Sequence, residues 1–470
     1  MAVHPSGLIA PSPSSAHHSL RLLWAPCIGT LLYLSGSLLL FRFGPIEWPV
    51  QDGSALWTFN ALYLTMFLAG YAIAFRQRHL WTSSSTNPSS KNFTVRFFWP
   101  VLTCASLVVL IGHRNLTLGP SYLPFDLLPD FLRGLQDPLG AYLYKLSDEA
   151  RGNFAGNPLV TLLFGALAFS KLLLVQMLVD GWPNLSRPKK LLGTAVSIFP
   201  IISGVSVGTN KPVFDVAFVL VAIFAVHLVM AKQADRIRFI RARAALVLLI
   251  FGVCVFAGAY FQQTMNVRAP GLDHTKSLAG AAGSIHLKSG FLSFCTSKDE
   301  WTLKGCHLFS VGSTYLTQGY YGMSLSIGLP LETTYGVGHS KFIIDALDKY
   351  AGVDLAPRTF QHKIHDKWSA TAQWHSAYSQ WANDVGFWGV ALVMLILGFY
   401  VCAVWISALA THNAAAVCSI PLLTILIIFI PANNQVFNLF ESLASFTVLF
   451  VAWVVSLSVR MQTQPRLRKS

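Results

Sequence analysis

Apolar residues gather along this chain into ten blocks, at 22–41, 55–75, 97–113, 157–179, 191–208, 213–231, 245–261, 386–408, 417–432 and 442–459. Each approaches the ~20 residues that carry an α-helix across the hydrocarbon of a bilayer. Backbone amides find no water there, so blocks of this length must bond internally as helices and pack into a bundle. The expected fold is an all-α polytopic membrane protein of about 10 transmembrane helices, with one long polar insert between the seventh and eighth spans. The organisation that follows is a disordered tail at 1–20, a bundle of seven spans at 21–261, a loop domain at 262–385, three more spans at 386–459 and a basic tail at 460–470.

Composition agrees with that pattern. Of 470 residues, 53% are hydrophobic and 11% charged. The net charge of +14 points toward nucleic acid until the positions of the basic residues are read. With the N-terminus inside, one side of the membrane collects Arg21, Arg76, Arg78, Lys91, Arg96, Arg187, Lys189, Lys190, the run from Lys232 to Arg243, and Arg460, Arg466, Arg468 and Lys469. Only Asp180 and Asp235 oppose them there. This is the bias of cytoplasmic loops, so both termini are expected in the cytoplasm and the insert outside; no nucleic-acid partner is called for. The Ser-, Pro- and His-rich start lacks the layout of a cleaved signal, and no internal repeat of the transporter kind is evident.

Loops longer than about 12–15 residues usually carry function or disorder. The insert has Trp301, Trp368, Trp374 and Trp381 and six tyrosines, enough apolar surface to fold against the bundle. Its Cys295 and Cys306 face an oxidising compartment under this topology and are candidates for a local disulfide, with two free thiols as the alternative. Residues 113–156, punctuated by Pro124, Pro129 and Pro138, read as interfacial helices.

Candidate chemistry is spread over several segments. Lys211, in the turn Gly208-Thr-Asn-Lys-Pro212, is placed to bind a phosphate at the bilayer surface or to snorkel as an interfacial lysine. Lys171 lies inside the fourth span, where an ammonium needs a polar cavity and a counter-ion; Asp215 is the candidate partner. In the insert, Arg358, His362, Lys363, His365 and Lys367 form a basic cluster suited to a diphosphate or to a solvated face. Thr334-Tyr-Gly-Val-Gly-His339-Ser340 offers a tight glycine turn beside a histidine. Residues 368–384 have helical spacing that puts Trp374, Tyr378 and Trp381 on one face, as an interfacial belt or a sugar platform. His375 beside them is a candidate general base, and Asp384 a candidate catalytic carboxylate or helix cap.

A Gly-rich helix end with a short basic turn (Gly204 to Lys211), a long outside loop, and then Asp384-Val-Gly386-x-x-Gly389 entering a span resembles the Wzy-type oligosaccharide repeat-unit polymerases and related O-antigen ligases of bacteria. Gln318-Gly-Tyr-Tyr-Gly-Met-Ser-Leu and Thr334-Tyr-Gly-Val-Gly-His-Ser340 carry the same likeness. Where these polymerases often place arginine in the outer turn, this chain has Lys211. The resemblance implies a metal-independent glycosyltransferase of the bacterial inner membrane, without cofactor, whose insert is periplasmic and whose donor is an undecaprenyl-diphosphate-linked glycan. It implies a chain-length regulator and a flippase of the same pathway as partners. His375, Asp384 and His339 are then the candidate catalytic residues, and Lys211, Arg358, Lys363, Lys171, Trp374 and Tyr378 the candidate substrate-binding ones. Two alternatives stand beside this: another lipid-linked glycosyltransferase or ligase, including one resting on Glu47 and Asp52 of the first outside loop, and a polysaccharide-lipid transporter or flippase working through Lys171 and Asp215.

Overall fold

The structure is a computed structural model describing residues 20–82, 90–119, 121–147, 157–231, 235–272 and 285–463. Most of the two expected tails therefore lies outside the described residues. Every apolar block carries helix. The first half of the chain forms α1 (Leu20–Phe43), α2 (Gly53–Arg76), α3 (Arg78–Thr82), α4 (Ser90–Thr117), α5 (Leu127–Gln136), α6 (Pro138–Leu146), α7 (Pro158–Leu167), α8 (Ser170–Gly181), α9 (Arg187–Ser206) and α10 (Lys211–Met230). After α11 (Arg236–Ala242) and α12 (Ala244–Arg268), the insert supplies α13 (Ser289–Thr296), α14 (Glu300–Ser326), α15 (Lys341–Ala351) and α16 (Phe360–Lys363). The bundle closes with α17 (Ala377–Thr411), α18 (Ala414–Phe429) and α19 (Phe440–Thr463).

Among the described residues eight segments are long and apolar enough to cross a membrane, one of them the α7–α8 pair, so this is a multi-pass membrane protein. The remaining two blocks are α9, whose first turn carries Arg187, Lys189 and Lys190, and α18, which has 16 residues. The expected fourth span is not one helix. It breaks at Ala168–Phe169, between α7 and α8, which puts Lys171 in the first turn of α8.

The core of the bundle is the pair α2 and α17. Gly70 on α2 and Gly398 on α17 are reciprocal: a β-carbon on Gly70 would collide with Leu395 O, and one on Gly398 with Phe67 O. Small residues let the two backbones approach, and the Tyr63 hydroxyl ties the same pair by donating to Phe387 O at 2.7 Å. Gly70→Ala should therefore cost about 1–3 kcal/mol through overpacking and lower the unfolding midpoint in detergent, whereas Gly36→Ala on α1, with open space around it, should leave the midpoint unmoved.

The insert is folded and tied down. Its only sheet among the described residues is the antiparallel pair β1 (Ile46–Glu47) and β2 (His286–Leu287), which ties the insert to the segment just after α1. Cys295 and Cys306 are disulfide-bonded, with Cα atoms 6.1 Å apart, stapling α13 to α14. The second half of α14 is buried against α1, where the Tyr320 hydroxyl and Ser37 Oγ hydrogen-bond at 2.9 Å. Helix α17 starts at Ala377 and is interrupted by Gly386, whose φ of 68° and ψ of 167° are not helical.

One local expectation fails. The aromatic segment from 368 is turn up to Ser376, not helix. Side chains capture the backbone there: Gln373 Oε1 accepts from Ser369 N at 2.5 Å, Ser369 Oγ from Ala372 N at 3.2 Å, and Trp374 O from Trp368 Nε1 at 3.0 Å. Such local bonds compete with the helical ladder, and here they win.

Candidate functional site

The insert end of the bundle holds a cavity of about 580 Å³. Its walls come from the C-terminal ends of α4 and α9, the break between α7 and α8, the first half of α10, the end of α18 and the start of α19. The walls are mostly apolar, from residues such as Val108, Leu174, Val196, Leu220 and Leu422. An apolar cluster that includes Val179, Ile223, Leu246 and Val253 adjoins the cavity through Val175, Val216 and Leu220, which belong to both. Helix α6 covers one side with Tyr142 and Lys145. It lies close because Gly208, at φ +62°, has no side chain to hold Pro138 away. Arg268 seals the same junction, donating to Gly208 O and lying 3.9 Å over the Tyr142 ring.

Two of the expected substrate-binding residues meet in this cavity. Lys171 enters from the helix break and Lys211 from the first turn of α10. Their counter-ions differ from the expected pairing: Lys171 bonds Glu441 of α19, and Asp215 bonds Lys211 one turn along α10. Asp215 still stands within electrostatic reach of Lys171. His113, which sequence reasoning took only as a segment boundary, also faces the cavity and bonds Ser203 Oγ through Nδ1 at 2.9 Å. Three lysines, 145, 171 and 211, stand against two carboxylates, Asp215 and Glu441, among the lining side chains. The spacing Lys211-x-x-x-Asp215 was a readable signal for one pair. Glu441, 270 positions from Lys171, could be connected to it only by the fold.

A second cluster brings His339 and Asp384 together. The Asp384 carboxylate accepts from five donors: Thr334 Oγ1 at 2.5 Å, Gly336 N at 3.0 Å and Gly338 N at 2.9 Å on Oδ1, and His339 N at 3.1 Å and Nδ1 at 3.3 Å on Oδ2. Asp384 thus shapes the glycine turn and orients the imidazole, and its lone pairs are too fully engaged for it to act as a base itself. With Nδ1 held by the carboxylate, Nε2 is the basic nitrogen of His339. Asn434 Nδ2 donates to His339 O at 3.0 Å and Ser340 Oγ to Phe437 O at 2.5 Å. The same connection continues to Leu439, Phe440 and Glu441 in the cavity wall. Residues 433–441 therefore join the His339 turn to the lysine cavity.

The other expected site residues fall elsewhere. His375 is 3% exposed, with Nε2 donating to Ser369 O at 3.2 Å and Nδ1 turned toward Gly322. Buried between the turn and α14, it has no face open to a substrate, which corrects the expectation of a general base. Burial pushes its imidazole down to about 4, so it is neutral at pH 7. Because protonation is harder in the folded than in the unfolded chain, this group adds no pH dependence above its ordinary value of 6.5. Stability should fall as pH drops from there through about 4, by on the order of 3 kcal/mol in all. Acid unfolding of His375→Gln in detergent should lack that slope.

Tyr378, 1% exposed, packs within the core with its ring tilted against Tyr63 at 4.7 Å, and Trp374 packs edge-on at 4.8 Å from Tyr315. Neither forms the expected sugar platform, because the turn at 364–376 carries Trp374 off the helix and α17 turns Tyr378 inward. Arg358 lies over the Tyr335 ring and donates to its phenol oxygen at 2.9 Å, while Lys363 donates to Pro330 O at 2.8 Å and pairs with Glu332 at 2.9 Å. Both clamp the loop at 330–335 and stand apart from Lys171 and Lys211. Asp52 caps α2 through Ala55 N at 2.9 Å, so one of the two acids of the first outside loop is a helix cap. No protein-family model, curated protein or solved structure matches this chain.

Proposed function

We propose that the chain polymerises undecaprenyl-diphosphate-linked oligosaccharide repeat units at the periplasmic face of a bacterial inner membrane, with about ten spans and both termini in the cytoplasm. The observation that carries this reading is the cavity itself, apolar in its walls and with lysines in excess of carboxylates among its lining side chains. A prenyl chain is matched by the walls. A diphosphate is matched by Lys171 and Lys211, whose carboxylate partners it displaces. In the reaction, an acceptor sugar hydroxyl oxygen bonds to the donor anomeric carbon, the bond from that carbon to the diphosphate oxygen breaks, and the diphosphate leaves with the electron pair. Cations at the leaving group stabilise the charge that develops there. His339 Nε2, oriented by Asp384, takes the hydroxyl proton.

The transport alternative works through Lys171 and Asp215 of the same cavity. Deletion of the gene, with the full-length chain returned on a plasmid, separates the readings when surface glycan is resolved on a gel. Loss of the long-chain ladder with single repeat units retained is expected. An unchanged ladder, polymer stranded on its lipid carrier, or lipid-linked units held on the cytoplasmic side would each overturn polymerisation.

A further inference from the structure

A second cavity, of about 220 Å³, lies between the end of α1 and the start of α2, away from the lysine cavity. Its floor is apolar and rigid: Trp48 stacks 5.9 Å from Phe41 and 5.5 Å from Tyr321. Its rim carries charges of both signs, Arg42 and Lys288 against Glu47, together with Trp57. The β-pair holds this rim. Glu47 is in register with His286, and Lys288 is fixed twice, through its backbone N to Pro45 O at 2.8 Å and its Nζ to Arg42 O at 2.9 Å. Lys288 keeps further N–H donors for a ligand, since an ammonium has three.

Both flanking helices are long and apolar enough to cross the membrane, so their shared end marks a bilayer surface. Phe43, 73% exposed, and Trp57, 37% exposed, stand at that level, as aromatic side chains do where headgroups meet acyl chains. We infer that this cavity is a headgroup site for a zwitterionic aminophospholipid. The phosphate sits between Arg42 and Lys288, the ammonium meets Glu47 and the face of Trp57, and the acyl chains run down the exposed apolar flank of α1. A purely anionic headgroup satisfies the two cations but sets no positive charge against Glu47. The site is independent of the polymerase reading.

The test uses the full-length protein in detergent with native mass spectrometry, offering phosphatidylethanolamine and phosphatidylglycerol of the same acyl chains in equal amount. Phosphatidylethanolamine should be retained in preference. Glu47→Gln should reduce that preference by about fivefold, the worth of one modest ion pair, and Arg42→Ala should weaken both lipids. The unfolding midpoint of each variant, measured alongside, must match the parent. Equal retention of the two lipids by the parent protein would overturn the inference, as would a preference unaltered in Glu47→Gln. Water-soluble phosphoethanolamine competing as effectively as the lipid would show a soluble phosphate ester to be the ligand and overturn the lipid assignment.

Discussion

Lys171→Met should abolish glycan chain extension in cells and destabilise the protein by on the order of 1 kcal/mol, because it leaves Glu441, about a third exposed, without its counter-ion. Loss of one partner of such a pair is costly mainly through the charge that remains. Glu441→Gln in the same chain removes that charge, so the double variant should regain most of the lost stability. It should not regain activity, since the cation proposed to hold the diphosphate is still missing. The measurement pairs an unfolding midpoint in detergent with the glycan ladder of complemented cells. A double variant that polymerises normally would show the ion pair to be a bundle clasp and move the diphosphate site elsewhere. Lys211→Met next to it has a milder stability expectation, because its partner Asp215 lies one turn away on the same helix and the pair ties no two helices together.

The helices were legible because a bilayer permits so little else. Once a block of apolar residues must satisfy its own amides, periodicity hardly matters, and the blocks at 55–75 and 386–408 map directly onto α2 and α17. The break in the fourth block was not legible. Nothing in Phe164-Gly-Ala-Leu-Ala-Phe-Ser-Lys171 stops a helix by itself; Phe440 of α19 packs where a side chain at Gly165 would stand, a contact the sequence separates by 275 positions. The site divides the same way. Lys171 was conspicuous because an ammonium inside an apolar block demands a partner, but the identity of that partner depended on which helices neighbour α8. His375 shows the opposite error. Its setting among tryptophans and polar residues looked like an exposed aromatic face, and only the local bonds of Ser369 and Gln373 fold that stretch back so that the imidazole is buried. Cys295 and Cys306 were readable as a candidate pair, because two cysteines eleven residues apart can reach each other without any help from the rest of the fold.

Asp384 supports the sharpest separation between holding a site together and performing chemistry in it. Asp384→Ala would orphan the part-buried backbone N–H groups of Gly338 and His339, at roughly 1–3 kcal/mol for each, while the exposed N–H of Gly336 turns to water, so this variant should be destabilised and inactive. Asp384→Asn keeps one acceptor oxygen but replaces the other by a donor that faces His339 N and Nδ1. It should fold with a smaller loss and lose activity through the imidazole, whose Nδ1 no longer has a carboxylate to bond. His339→Gln tests the two roles apart: it leaves the backbone donors of the turn and all of Asp384's other partners in place, so stability should change little while chain extension is lost. The decisive comparison is between the amide and glutamine variants at matched expression in membranes. If His339→Gln retains the parental ladder and Asp384→Asn loses it only in proportion to the folded protein remaining, the turn is a structural buckle between the insert and residues 433–441, and the proton acceptor must be sought among His113, Asp215 and Glu441 in the cavity.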